Sequence, residues 1–165
     1  MEILDIYDKN GNKLHKTHIR GIPLNINEYC IAVDVWIKNS KDQILLTQRH
    51  PLKAYPMKWE CTSGCIVAGE DSITGALREV KEEIGITLSK NEGVKIQRIT
   101  RDNQNMIFDI FLFKKDIEIK ETKLQDGEVI DIKWVDKEEL DQMFKRDEMV
   151  EPISYIQELI AKRVI

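Results

Sequence analysis

Cysteine, proline, glycine and histidine are all scarce in this 165-residue chain, at 3 Cys, 4 Pro, 8 Gly and 3 His. The cysteines, Cys30, Cys61 and Cys65, form no Cys-x-x-Cys pair and leave an odd count. That argues against a disulfide scaffold and for a reduced, intracellular protein. So little Pro and Gly excludes collagen-like and linker compositions. His15 and His18 stand three apart, a spacing that suits two metal ligands, but no third ligand accompanies them. No apolar run approaches the ~18 residues of a membrane-spanning helix. Met1 is followed by Glu2, Asp5 and Asp8 rather than by a basic segment leading into an apolar stretch. No secretory signal is therefore expected, and the expected location is the cytoplasm. Positive charge is not in excess either. Lys and Arg number 25 against 29 Asp and Glu, a net charge of −4. This excludes attachment to a nucleic acid polymer or to a membrane surface by bulk charge. It leaves open anionic small molecules, which a few local cations can hold.

What is present is the material of one folded domain, with 42% hydrophobic and 33% charged residues and enough length for a sizeable core. Residues 2–7 alternate loosely, Asp8-Lys9-Asn10-Gly11-Asn12 is a turn signal, and with Lys13 to His18 they read as an N-terminal β-hairpin. Tyr29 to Ile37 and Gln43 to Gln48 read as antiparallel strands around a polar turn. A loop with Pro51 and Pro56 leads through Trp59 to a short strand near Cys61 to Val67. Val94–Arg101, Met106–Phe113 and Val129–Val135 are further strands, the second apolar on both faces and so predicted to lie inside a covered sheet. Helices are predicted near 72–84, 137–144 and 153–165. Strand pairs broken by single helices imply an α/β (or α+β) sandwich with a mixed sheet. Residues 1–27 are read as a hairpin extension, and residues 28–165 as the main domain.

The helix predicted from Ser72 to Ile84 carries the chemistry. Asp71 suits its N-cap and Gly85 a left-handed C-cap. Ile73, Ala76, Leu77, Val80 and Ile84 share one face, predicted to be buried. Glu79, Glu82 and Glu83 fall on another arc, as neighbours one, three and four residues apart. Like charges at these spacings cost a few tenths of a kcal/mol per pair, a cost that a cation would relieve. Clustered hard oxygens suit Mg²⁺ or Mn²⁺ bound with substrate phosphates. Arg78 precedes Glu82 by four residues and suits orienting a carboxylate or contacting phosphate. Gly75 costs ~1 kcal/mol in a helix interior, and its place on the acidic arc suggests room left for metal waters or substrate. From the helix alone, the ordinary reading is a solvated charged face.

The full spacing overturns that reading. The segment Gly64 to Ile86 resembles the Nudix box, Gly-x5-Glu-x7-Arg-Glu-U-x-Glu-Glu-x-Gly-U with U a bulky aliphatic residue. Gly64, Glu70, Arg78, Glu79, Val80, Glu82, Glu83, Gly85 and Ile86 match all nine defined positions. A chance match at a given start is on the order of 10⁻⁹ for average composition. The resemblance implies a Nudix α/β/α sandwich and a divalent-metal-dependent hydrolase of a small-molecule diphosphate, in particular a nucleoside diphosphate linked to another moiety. It implies Glu79, Glu82 and Glu83 as metal ligands, one of them as base, with Arg78 beside them. It also implies Glu70 as a substrate-binding residue and the Gly64 backbone as a further metal ligand, the two completing the loop around the site. Glu128, before Val129-Ile-Asp-Ile-Lys-Trp134, stands where many members supply another acid, although a loop acid can equally be solvated. Arg49 resembles a position that can face substrate, with a structural salt bridge as the alternative. Trp59 and Trp134 are read as core residues. The family often dimerises, so a homodimer is in keeping with the resemblance, though no sequence feature shows one.

Asp8-x-x-Gly11 and Thr17-His18-x-Arg20-Gly21 resemble a Nudix branch related to isopentenyl-diphosphate isomerase. That chemistry requires a cysteine and then a histidine before the box helix, where this chain has Ser63 and Cys65; Cys61 is two residues off register. The departure disfavours isomerisation, which needs a proton-shuttling group at the reacting carbon. A domain that binds nucleotide without turnover is a further alternative, set against the complete glutamate set.

Overall fold

Strand β3 (Cys30–Lys38) is buried along all but its last residue, because its Cys-Ile-Ala-Val-Asp-Val-Trp-Ile run offers apolar groups to both faces. The computed structural model describes residues 2–165. In it β3 pairs in parallel with β8 (Met106–Lys114), from Cys30↔Met106 to Lys38↔Lys114. β7 (Gly93–Arg101) covers the outer edge of β8, antiparallel to it. β6 (Thr62–Cys65) lies antiparallel on the other edge of β3. β4 (Ile44–Arg49) meets β3 only at Lys38↔Ile44, then diverges to pair with β9 (Val129–Val135) and the short β5 (Trp59–Glu60). The predicted β3–β4 hairpin is therefore real only beside its turn. The reason is that β3 fills its edges with β8 and β6, which leaves β4 to nucleate a second half of the seven-stranded sheet.

Each face of the sheet is covered by helix, as a strand apolar on both sides requires. Ile31, Val33, Val35 and Ile37 pack against Ala76, Val80 and Ile84 of α1 (Ser72–Ile84). Trp36 and Ile110 pack on the opposite side with Leu140 and Met143 of α2 (Lys137–Lys145) and Ile156 and Leu159 of α3 (Tyr155–Ala161). This is the α/β/α sandwich implied by the box. Trp59 belongs to the second cluster, and Trp134 packs against the first. No helix among the described residues is long and apolar enough to cross a membrane.

The C-terminal helix is shorter than its apolar periodicity predicts. Pro152 lies in a separate 3₁₀ turn, and Arg163 adopts a positive φ of 57°. The Arg163 and Val164 amides then donate to the Ile160 and Leu159 carbonyls, a Schellman ending that turns the chain so that Ile165 is buried. A buried network holds α3 to the sheet. The Tyr155 hydroxyl donates to Asp34 Oδ2 at 2.6 Å, Ser63 Oγ donates to Asp34 Oδ1 at 2.7 Å, and Trp36 Nε1 donates to the Tyr155 oxygen at 3.0 Å. Burial pushes the Asp34 carboxyl above its ordinary pKa despite these donors. Tyr155→Phe strips one partner from each of Asp34 and Trp36. It is expected to cost about 1–3 kcal/mol in urea denaturation; an unchanged midpoint would show the network to be dispensable.

The N-terminal segment forms the hairpin that its turn signal predicts, β1 (Ile3–Tyr7) against β2 (Lys13–Ile19). Asp8 Oδ1 accepts from the Asn10 and Asn12 amides. Leu4 and Ile6 pack on Cys30. β1 also holds the loop before α1. Ile3 O accepts from the Ala68 amide, and buried Asp5 accepts from the Gly69 amide at 2.7 Å. Burial works against the Asp5 charge, but the Gly69 amide and Lys13 bring its pKa below the ordinary value.

Candidate active site

Helix α1 has the caps its sequence predicts. Asp71 accepts from the Thr74 amide at 2.8 Å, and Gly85 takes φ 76°, sending its amide to Lys81 O. This fixes the azimuth of the glutamates, and the sheet decides which of them reach water. Glu82 is exposed, whereas Glu79 and Glu83 are buried, at 9% and 3% residue exposure. The acidic arc is thus half core rather than a solvated face.

Arg78 is the hub of one group. Its Nε and Nη2 donate to the two Glu70 oxygens at 3.0 Å each, and Nη2 also donates to Cys65 O at 2.9 Å. Its Nη1 donates to Glu79 Oε1 and Glu82 Oε2, both at 2.9 Å. Glu70 Oε2 also accepts from the Val67 amide. Glu70, implied by the resemblance to contact substrate, is therefore the lock between the box loop and Arg78. Burial opposes the Arg78 charge, but the Glu70 hydrogen bonds and the Glu79 charge hold its pKa above the ordinary value.

Glu83 heads a second group. Thr62 gives it a side-chain hydrogen bond, yet Oε2 is buried with no partner. Desolvation first, and the neighbouring Glu60 charge second, push its pKa well above the ordinary range, with Lys53 acting in the opposite sense. Glu60 is itself buried and raised by desolvation, against the pull of Arg49. Arg49, expected to face substrate or to form a salt bridge, forms the bridge: Nη1 to Glu60 Oε1 and Nε to Ala54 O, both at 2.5 Å. Glu128 is half-buried and ion-paired with Lys53. Lys53 and Glu60 carry no motif in the sequence. Lys53 lies within the Pro-containing loop and Glu60 on β5 just after it, and only the fold brings them to Glu83.

The two groups communicate through charge, since Glu79 also raises the Glu83 pKa while burial raises its own. Among the described residues no three Asp, Glu, His or Cys side chains form a ready metal cage; Arg78 Nη1 bridges Glu79 and Glu82 instead. The donor set nonetheless suits a hard cation, because a buried carboxylate oxygen with no donor facing it is costly unless a positive charge satisfies it.

Two glycines are expected to serve this site, and the structure places them differently. A Cβ at Gly64 would lie 2.1–2.4 Å from the Glu79 carboxylate atoms, so only glycine allows that close approach. Gly64→Ala is expected to swing the flexible Glu79 side chain away, lowering kcat/KM by ~10²-fold or more. The melting temperature should stay within about 4 °C. Undiminished activity would sink this reading of Gly64. Gly75 does not leave room for water or substrate. A Cβ there would meet Ile66 Cγ2 at 2.5 Å and Glu70 Oε2 at 3.2 Å, so its bare backbone seats the box loop instead.

Comparison with known proteins agrees with this geometry. Residues 28–155 match the NUDIX domain family model. An uncharacterised Nudix hydrolase of Listeria innocua is 33% identical, over 96% of this chain and 94% of its own. A crystal structure from Deinococcus radiodurans superposes with a TM-score of 0.76, covering 98% of both chains at 17% identity. The NUDIX domain of Shewanella oneidensis NrtR, complexed with ADP ribose, gives 0.66 at 16% identity, covering 83% of this chain and 89% of that one. The complete box, the α/β/α sandwich and these matches establish that the chain belongs to the NUDIX domain family and is a Nudix hydrolase.

Proposed function

We propose that this enzyme hydrolyses a nucleoside diphosphate linked to another moiety, using Mg²⁺ or Mn²⁺. Nudix hydrolases generally use divalent metal ions. The observation that carries the reading is the partnerless, buried Glu83 Oε2 beside Glu79, itself held against Gly64 by Arg78. Glu79, Glu82, Glu83 and the Gly64 carbonyl would hold the cation, with Glu128 available once Lys53 releases it. Such a cation supplies neutralisation of phosphate charge and a lowered pKa for water. Water attacks phosphorus, one of the glutamates accepts its proton, and the anhydride P–O bond breaks to leave two phosphate products. Arg78 and Glu70 keep Glu79 aimed, and Arg49 holds Glu60 in place beside Glu83. The ADP ribose held by the Shewanella relative is a compound of the proposed class. Isomerisation gains no support, because the Ser63 hydroxyl is committed to Asp34.

The test is a hydrolysis screen in Mg²⁺ or Mn²⁺, with EDTA controls, over nucleoside diphosphates, nucleotide sugars, dinucleoside polyphosphates and oxidised nucleotides. Metal-dependent turnover of at least one class is expected. Tight binding with no phosphate release across the whole panel would overturn the catalytic reading.

A further inference from the structure

We infer that the N-terminal extension builds the subsite that receives the nucleobase of the substrate; this deepens the proposed function and rests on it. A cavity of about 370 Å³ lies between the hairpin and the first residues of β3 and β8, within the range of small-molecule sites. Leu4, Leu24, Cys30 and Met106 give it apolar walls, while Arg20 and the Asn103–Gln104 amides give it a polar rim. Its Leu4 wall, His18 and the stretch from Arg20 to Leu24 precede residue 28, where the family match begins. The cavity is therefore a property of this chain's extension and not of the shared domain alone.

Its position joins it to the carboxylates. Cys65, which lines it, follows Gly64 and gives its carbonyl to Arg78. Arg20 lies within reach of the Glu79 charge and pairs with Glu2. A diphosphate held at the box would thus lie near a guanidinium that lines the cavity.

The lining selects the occupant. It contains no Asp or Glu to attract a cationic group. Asn105 is already committed to the Asn25 and Glu28 carbonyls, and His18 to Ile22 O. Asn103 and Gln104, by contrast, are exposed at its edge. Apolar walls with exposed amides at the edge suit a flat, uncharged heterocycle whose rim both donates and accepts hydrogen bonds. A larger cavity, about 510 Å³ and lined by Lys38, Lys114 and Lys115, sits at the far end of the β3–β8 pair. Its charges are largely internally paired, Lys38 with Asp42 and Lys115 with Glu92, so it offers less to a substrate.

The test begins with the full chain in EDTA, followed by NMR at the Met106 methyl and the Asn103 and Gln104 side-chain amides. Adenosine, cytidine and their 5′-diphosphates are each titrated in, with inorganic pyrophosphate as the base-free control. At least one nucleoside and its diphosphate should move these signals, and pyrophosphate should leave Met106 unmoved. Shifts only around Lys38 and Lys114, or no shifts with any nucleoside, would overturn the inference. Arg20→Met should weaken the 5′-diphosphate but not the uncharged nucleoside; equal weakening of both would count against the assigned orientation. In turnover, Asn103→Ala/Gln104→Ala and the cavity-filling Leu24→Trp should raise KM for a nucleoside diphosphate substrate about tenfold relative to methyl diphosphate. The exposed amide pair keeps that arm decisive if Leu24→Trp fails to fold, and an unchanged ratio would reject the subsite. Absence of all hydrolysis would instead strike the proposed function, while the NMR titration would still decide the cavity.

Discussion

Glu83→Gln is expected to lower turnover about 10³-fold and, in metal-free buffer at neutral pH, to make the protein more stable than its parent. Both effects follow from one feature, a carboxylate in the core with an oxygen that nothing faces. For activity, the substitution removes both a proposed cation ligand and a candidate proton acceptor, and the second role alone carries a factor of ~10² to 10⁴. For stability, the sign follows from proton linkage. The folded-state pKa of Glu83 lies well above its ordinary value of 4.5, chiefly through desolvation. Between those two pKa values the native state binds more protons than the unfolded chain does, so stability falls as pH rises through that window. Above the raised pKa the full penalty is present. Glutamine is isosteric and does not ionise, so the variant escapes the penalty and should melt higher in EDTA at pH 8, with the difference vanishing below pH 4. Saturating Mg²⁺ or Mn²⁺ should then stabilise the parent more than the variant, because a ligand that binds only the native state stabilises it by mass action. Wild-type turnover in the variant, or a lower melting point in EDTA, would contradict this account. Glu82→Gln separates the two effects. Glu82 is exposed, so its loss should reduce turnover with little change in melting point.

The box helix was the most legible part of the chain, because its signals are local. Asp71, the aliphatic stripe and Gly85 lie within fifteen consecutive residues, and the observed Ser72–Ile84 helix has the predicted ends. Strand β9 was equally plain, with five β-branched or aromatic residues among its seven. Partner choice was not legible. β4 follows β3 after a tight turn, which favours a hairpin, yet tertiary context gives most of its hydrogen bonds to β9 across some eighty residues. The C-terminal helix was overread because apolar periodicity continues past Ala161, while only Arg163 in the left-handed region records the stop. In the site, spacing identified the acids but not their surroundings. Glu79 and Glu83 read as one exposed arc with Glu82, since helical phase gives direction and not what stands in that direction. Glu60 and Lys53 were invisible because their meeting with Glu83 is made by a loop with no periodicity. The match to a long fixed pattern carried the assignment; charge alone would have left a solvated helix.

Arg78→Ala is expected to destabilise the protein by about 3–5 kcal/mol, the range for removing one partner of a buried ion pair. A loss of that size is a large share of the ~5–15 kcal/mol that keeps a domain folded. The expectation rests on Glu70 and Glu79, whose side chains are only 10% and 12% exposed. Without the guanidinium both would be left charged in a poorly solvated place, and the Cys65 carbonyl would lose its donor as well. Glu82 adds little to the cost, because it is about half exposed and water can replace the lost partner. Charge alone does not explain the choice of arginine. One planar fork serves Glu70 with two parallel hydrogen bonds while also reaching Cys65 O, Glu79 and Glu82. A lysine ammonium has three donors on a single nitrogen and cannot span that set, so Arg78→Lys should recover less than half of the lost stability. Both variants should lose at least ~10² in kcat/KM, because Glu79 and the Gly64–Cys65 backbone lose the contact that fixes their separation. A double-mutant cycle with Glu70→Gln isolates the central pair, and a coupling of about 1–3 kcal/mol is expected from urea denaturation. If the coupling is near zero and Arg78→Lys is as stable and active as the parent, Arg78 is an ordinary surface cation and the hub assigned to it here does not exist.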